Sequence, residues 1–121
     1  MSKTILTVDD SRTMRDMLRL ALVDAGFNVV QAEDGVHGLE VLQGEMPDVI
    51  VTDINMPRMD GYGFIEGVRA DARCRAIPIL VLTTESSPEK KARARDAGAT
   101  GWIVKPFNPE KLVEAIRRVA A

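Results

Sequence analysis

An open, mainly parallel α/β sheet with helices on both faces is the fold class this sequence predicts. Two observations carry the prediction. Short apolar runs alternate five times with segments of helical periodicity along the chain. The runs, such as Ile79-Leu80-Val81-Leu82, lack polar alternation, as expected of strands covered on both sides.

The first strand is expected over Ile5 to Val8, closed by Asp9-Asp10. From Ser11 to Ala25, apolar residues at helical spacing (Met14, Met17, Leu18, Ala21, Leu22) oppose Arg12, Arg15, Asp16 and Arg19. That pattern makes an amphipathic helix, capped by Asp10 or Ser11 and stopped at Gly26, with Met14 and Met17 in the core. Phe27 to Val30 is the second strand, and Val36, Leu39 and Leu42 mark a shorter helix from near Asp34 to near Gly44. Gly35 and Gly38 weaken its helical propensity.

After Pro47, residues Asp48 to Thr52 form the third strand, and a helix enters at Asp60-Gly61 with Phe64, Ile65 and Val68 inward. Ile79 to Leu82 is the fourth strand, ending on Thr83-Thr84, and Ser87 with Pro88 opens the next helix, which runs to Gly98. Gly101 to Val104 is the fifth strand, ending on Lys105-Pro106. Pro109 opens a last helix with Leu112, Val113, Ile116 and Val119 inward. With no linker or repeat, the expectation is a single domain over residues 1–121.

Composition excludes several classes. A hydrophobic share of 45% with 28% charged residues is ordinary for a globular protein, and no apolar run approaches the roughly 20 residues of a membrane helix. Neither a signal peptide nor a basic nucleic-acid-binding balance is present: net charge is -2, and a cytoplasmic protein without nucleic-acid or membrane partners is expected. The single Cys74 and single His37 form no zinc or thiol-protease pattern and are read as structural. Lys90, Lys91, Arg93 and Arg95 make the fourth helix basic, a pattern that could attract an acidic partner but more often marks a solvated face.

The chemistry lies at the strand ends. Asp9 and Asp10 follow the first strand, Asp53 the third, Thr83 the fourth and Lys105 the fifth. In an open α/β sheet the ligand crevice lies outside the carboxyl ends of the strands, so these segments aim polar groups at one rim. Carboxylates gathered there repel, by up to ~4 kcal/mol for a pair about 4 Å apart at an effective dielectric near 20. A divalent cation relieves that repulsion. Oxygen donors without neighbouring His or Cys favour Mg²⁺, with Mn²⁺ as a substitute, and phosphate oxygens complete such shells. Lys105 and the Thr83 hydroxyl would meet the charged oxygens of a transferring phosphoryl group, and one aspartate would act as nucleophile. Geometry read from sequence does not choose among Asp9, Asp10 and Asp53.

Over essentially its whole length the chain resembles the receiver domains of two-component response regulators, with VDDS, DINMPRMDG, LTTE and VKPF in the expected order. The resemblance implies a flavodoxin-like, doubly wound five-stranded sheet of order 2-1-3-4-5 with five helices. It implies that Asp53 is the phosphoacceptor and a metal ligand, that Asp10 binds Mg²⁺ directly and Asp9 through water, and that Asn55 contributes its backbone carbonyl. Lys105 would contact the phosphoryl group, its bond to Pro106 being cis. Asn55 and Glu85 occupy positions that tune the lifetime of the phosphate.

With no effector segment after the last helix, output is expected through partner binding, and the opening DDSRTMR looks most like the stand-alone chemotaxis regulators of the CheY type. Such regulators are monomers that take phosphate from a histidine kinase and bind the flagellar motor switch. They catalyse only their own phosphorylation and dephosphorylation. Thr83 and the aromatic at position 102 would carry the switch to the surface of the fourth helix, fifth strand and fifth helix. Where the family usually has tyrosine, phenylalanine or a smaller residue, this chain has Trp102, which either turns inward or stays as a half-buried packing anchor. Alternatives are a phosphate sink, a single-domain receiver outside chemotaxis, and a Mg²⁺-dependent aspartyl phosphatase or phosphotransferase. The phosphatases of the haloacid-dehalogenase type usually carry a second aspartate where this chain has Asn55. A flavin or nucleotide carrier would need a phosphate-cradling loop that is missing after the first strand.

Overall fold

A computed structural model describes residues 2–120, in which strands and helices alternate without interruption. They are β1 (Thr4–Val8), α1 (Arg12–Asp24), β2 (Asn28–Ala32), α2 (Gly35–Val41), β3 (Val49–Thr52), α3 (Gly61–Ala70), β4 (Ile79–Thr83), α4 (Pro88–Ala97), β5 (Gly101–Val104) and α5 (Pro109–Ala120). The strands form one parallel sheet in the order β2-β1-β3-β4-β5, the flavodoxin-like arrangement.

The uninterrupted apolar runs have a direct structural cause. Along β1, Ile5 enters the core shared with α1 and α5, while Leu6 and Val8 enter the core beneath α2, α3 and α4. The same parity holds in β4, where Ile79 and Val81 face one layer and Leu80 and Leu82 the other. Because successive side chains point to opposite faces and both faces are covered, the positions of β1, β3 and β4 are apolar apart from the threonines, of which Thr7, Thr52 and Thr83 are fully buried. The helices supply the other half of each core: Phe64, Ile65 and Val68 on one side, Leu18, Leu22, Leu112 and Ile116 on the other.

Helix starts follow local capping chemistry. Ser11, Asp34, Asp60 and Ser87 each sit in extended backbone, and the side chain of each accepts from the backbone N–H three residues later. Asn108 does the same for Lys111 N at the start of α5. Gly61 opens α3 because a Cβ there would collide with the Asp53 carbonyl oxygen and stand 2.7 Å from Ile54 Cα. The helix therefore begins directly against the loop that carries Asp53.

Three boundaries or placements differ from expectation. The second strand is Asn28–Ala32, since the Phe27 N–H still closes the end of α1 on Leu22 O at 3.0 Å, and pairing with β1 continues to Val8↔Ala32. The second helix ends at Val41, and the N–H groups of Gln43, Gly44 and Glu45 turn back onto Glu40 and Val41. Met17 is 49% exposed rather than core. Leu18 and Leu22 fill the narrow stripe that α1 turns inward, and Met17 falls beside it.

Candidate functional site

The strands all run in the same direction, so the carboxyl ends of β1, β3, β4 and β5 lie along one edge of the sheet. Backbone bonds hold that edge in place: Asp9 N–H donates to Ala32 O (3.1 Å), Asp53 N–H to Val8 O (2.9 Å) and Lys105 N–H to Thr83 O (2.8 Å). Asp9, Asp10 and Asp53 each offer a carboxylate oxygen within 4.8 Å of the others. Asp9 and Asp53 are buried and Asp10 is exposed.

Lys105 is the cation of the site. Its ammonium donates to Asp53 Oδ2 at 2.8 Å and to Asp9 Oδ2 at 2.9 Å. Asp53 Oδ1 accepts from its neighbour's Ile54 N–H at 2.6 Å, and Asp9 Oδ1 from Ser11 N–H at 2.9 Å. Burial pushes the Asp9 carboxyl above its usual range, even though the Ser11 N–H and Lys105 pull it down. Burial opposes the charge on Lys105, but its hydrogen bonds to Asp53 and Asp9 outweigh that and hold the ammonium above the ordinary lysine value. The Lys105-Pro106 peptide is cis, as the resemblance implies.

Three carboxylates gather at the rim, and the ammonium of Lys105 pairs with two of them. Burial is the main cause that raises the Asp9 carboxyl, and the neighbouring Asp53 charge raises it further. The donors are all oxygen, with no His or Cys among the clustered groups, which fits a hard divalent cation and not a structural zinc.

Around this centre lie the remaining candidates. Thr83 is fully buried, and its Oγ1 accepts from Glu85 N–H at 3.4 Å. Asn55 Nδ2 donates to Glu85 Oε1 at 3.4 Å. Trp102 is half-buried against the core under α2, α3 and α4, and its indole N–H donates to Glu85 O at 3.0 Å. All the singled-out polar residues thus lie at or beside one edge of the sheet.

Two supporting residues escaped the sequence reading. Arg15 reaches the Asp9 carbonyl at 2.6 Å, and Arg58 forks onto Asp34 with bonds of 2.8 and 3.0 Å. Arg15 falls on the solvent face of the helical pattern, a periodic signal that says nothing about a backbone carbonyl six residues earlier. Arg58 sits at φ +66, a conformation unusual for a side chain larger than glycine, and no sequence pattern signals such a residue.

The model for the response regulator receiver domain matches residues 5–117. The chain is 40% identical over 116 residues to the chemotaxis protein CheY of Pseudomonas aeruginosa, covering 95% of this chain and 94% of that one. Among solved structures, the chemotaxis response regulator CheY4 of Vibrio cholerae superposes with a TM-score of 0.93 at 47% identity, covering 98% of this chain and 99% of that one. The receiver domain of a sensor histidine kinase from Pseudomonas aeruginosa, described with a magnesium ion coordinated in the active site cleft, superposes with a TM-score of 0.92. Its identity is 25%, over 99% of this chain and 98% of that domain.

Proposed function

The chain belongs to the response regulator receiver domain family, and from that premise we propose that it is a chemotaxis response regulator switched by phosphorylation of Asp53. Its relatives are signalling proteins and not conventional enzymes, and phosphorylation on aspartate is the general mechanism of the family. The observation that supports a phosphoryl site is the Lys105 ammonium, 2.8 Å from Asp53 Oδ2 and 2.9 Å from Asp9 Oδ2, at a rim that Asp10 also shares, while the choice of Asp53 among the three aspartates rests on the family resemblance.

Asp10, Asp53 and the Asn55 carbonyl would hold Mg²⁺, with Asp9 acting through water. When bound, the cation supplies the positive charge that lets an anionic carboxylate approach an anionic phosphoryl group. The chain's own residues do the rest. The Ile54 N–H and the Lys105 ammonium orient the two oxygens of Asp53. A carboxylate oxygen of Asp53 forms the bond to phosphorus as the bond from phosphorus to the kinase histidine breaks. The electron pair returns to the imidazole nitrogen, which is then protonated. Lys105 and the Thr83 hydroxyl would follow the phosphoryl oxygens, while Asn55 and Glu85, joined to each other at 3.4 Å, would tune the lifetime of the group.

Output would leave through α4, β5 and α5. Thr83 and Trp102 are joined through Glu85, whose backbone N–H and carbonyl they engage respectively. A change at Thr83 therefore has a short route to the surface indole. Next to Trp102, a groove of about 240 Å³ is lined in part by Lys91 and Arg95, giving the face a positive edge suited to an acidic segment of a motor switch protein or another target.

The test is acetyl phosphate with Mg²⁺. One base-labile phosphoryl group on Asp53, lost in Asp53→Asn, supports the reading; rapid turnover of phosphate esters without a persistent adduct would sink it.

A further inference from the structure

We propose that Lys90 is a positioning residue for the lifetime of the Asp53 phosphoryl group, acting through Glu85. The inference rests on the phosphorylation of Asp53 proposed above and deepens it by naming how that site is regulated from α4.

The Glu85 carboxylate faces two ways. Its Oε2 pairs with Lys90 Nζ at 2.9 Å, in the first turn of α4, and its Oε1 accepts from Asn55 Nδ2 at 3.4 Å. Asn55 lies two residues beyond Asp53, and Glu85 two beyond Thr83. Their contact therefore bridges the loops that leave β3 and β4, neighbours in the sheet, beside an Asp53 that is 8% exposed.

The two contacts are unequal. At 3.4 Å the carboxamide bond is close to the limit of a hydrogen bond and restrains a carboxylate weakly, whereas the 2.9 Å charge-assisted pair is well formed. Glu85's direction is therefore set mainly by Lys90. The other cations of α4 do not compete for it. Arg93 lies over the Tyr62 ring, 3.9 Å from its centroid, and Lys91 and Arg95 line the groove beside Trp102.

Held this way, a carboxylate and a carboxamide cover one approach to an acyl phosphate on Asp53. In hydrolysis, a water oxygen forms the new bond to phosphorus as the bond to the Asp53 oxygen breaks. The electron pair returns to the carboxylate, and the water's proton passes to phosphate or solvent. Without Lys90, Glu85 turns away from Asn55 and water reaches phosphorus more readily.

The experiment labels the wild type, Lys90→Ala, Lys90→Arg, Glu85→Ala and the Lys90→Ala/Glu85→Ala double variant with acetyl phosphate and Mg²⁺. The donor is then removed, decay of the phosphorylated mass is followed, and thermal midpoints are taken in parallel. Lys90→Ala should decay about threefold faster, the scale of one part-exposed ion pair. Lys90→Arg should restore the wild-type rate, and Lys90→Ala should add nothing in the Glu85→Ala background. Decay in Lys90→Ala equal to or slower than wild type, or an undiminished Lys90 effect without Glu85, overturns the inference. Failure to label Asp53 in the wild type overturns the phosphoacceptor reading, and this inference with it.

Discussion

Lys105 Nζ stands 2.8 Å from Asp53 Oδ2, across 52 residues of sequence. The same ammonium bonds Asp9 at 2.9 Å, so one cation neutralises parts of two buried acids. Replacing it by methionine should lower stability by about 2 kcal/mol in metal-free buffer, because both carboxylates lose their partner. Labelling by acetyl phosphate should slow by about 100-fold, the scale of losing one preorganised charge donor. Urea unfolding and the labelling rate measure the two effects separately. Added Mg²⁺ should recover part of the stability and little of the rate.

Asp10 is the exposed member of the carboxylate cluster and makes no ion pair with Lys105. Asp10→Asn should therefore raise the thermal midpoint without metal, by relief of repulsion worth about 0.5 to 1 kcal/mol at a surface site. The same change should abolish most of the stabilisation produced by Mg²⁺. A midpoint that falls or stays level in metal-free buffer would contradict a crowded carboxylate pocket.

Gly38 lies in α2, where alanine is intrinsically better by about 1 kcal/mol. A Cβ there would stand 2.6 Å from Cε1 of Phe64, a fully buried ring held in the core. Overpacking should win, and Gly38→Ala should destabilise by about 1 to 3 kcal/mol. Chemical denaturation gives the sign directly.

The Asp34 carboxyl is held below its ordinary value of 3.8, first by the Arg58 side chain and then by the His37 N–H. A depressed carboxyl means the unfolded chain binds the proton more readily, so the contribution to stability is complete above the unfolded value. It is lost as the pH falls below 3.8 and through the lower folded value. Asp34→Asn keeps a good helix cap and removes the ion pair. The wild type should lead this variant in thermal midpoint at neutrality, with the lead vanishing in acid. A gap independent of pH would point to the cap instead.

Trp102 reports on the loop after β4 because its indole N–H is bonded to Glu85 O. Phosphorylation with acetyl phosphate and Mg²⁺ should change its fluorescence in the wild type and leave Asp53→Asn unchanged. Trp102→Phe should still accept a phosphoryl group on Asp53, since the indole is not among the groups bonded to that carboxylate. Unaltered emission in a fully labelled sample would remove Trp102 from the switch.

The alternation of elements, the double-sided apolar runs of β1, β3 and β4, the entry of α3 at Asp60-Gly61 and the cap at Ser87 were readable along the chain, while the choice of Ser11 over Asp10 as the cap of α1 was left to the structure. Each depends on residues within a few positions of one another: side-chain parity, helical spacing, a hydroxyl or carboxylate three residues from an N–H. The gathering of Asp9, Asp10, Asp53, Thr83 and Lys105 at one edge was also foreseeable, because each stands at a strand's carboxyl end in a parallel sheet. Met17 was misplaced because helical spacing gives the direction of an apolar stripe but not its width, which the packing of α1 against the sheet and α5 decides.

By itself, then, the amino-acid order determined which segments become strands and helices and which polar groups end the strands. Only the tertiary structure decided that Lys105 bridges Asp9 and Asp53, that Arg58 forks onto Asp34, and that Glu85 lies between Asn55, Lys90 and Trp102. Those pairings join side chains of different elements, so their distances follow from strand order and loop path, which no local periodicity encodes.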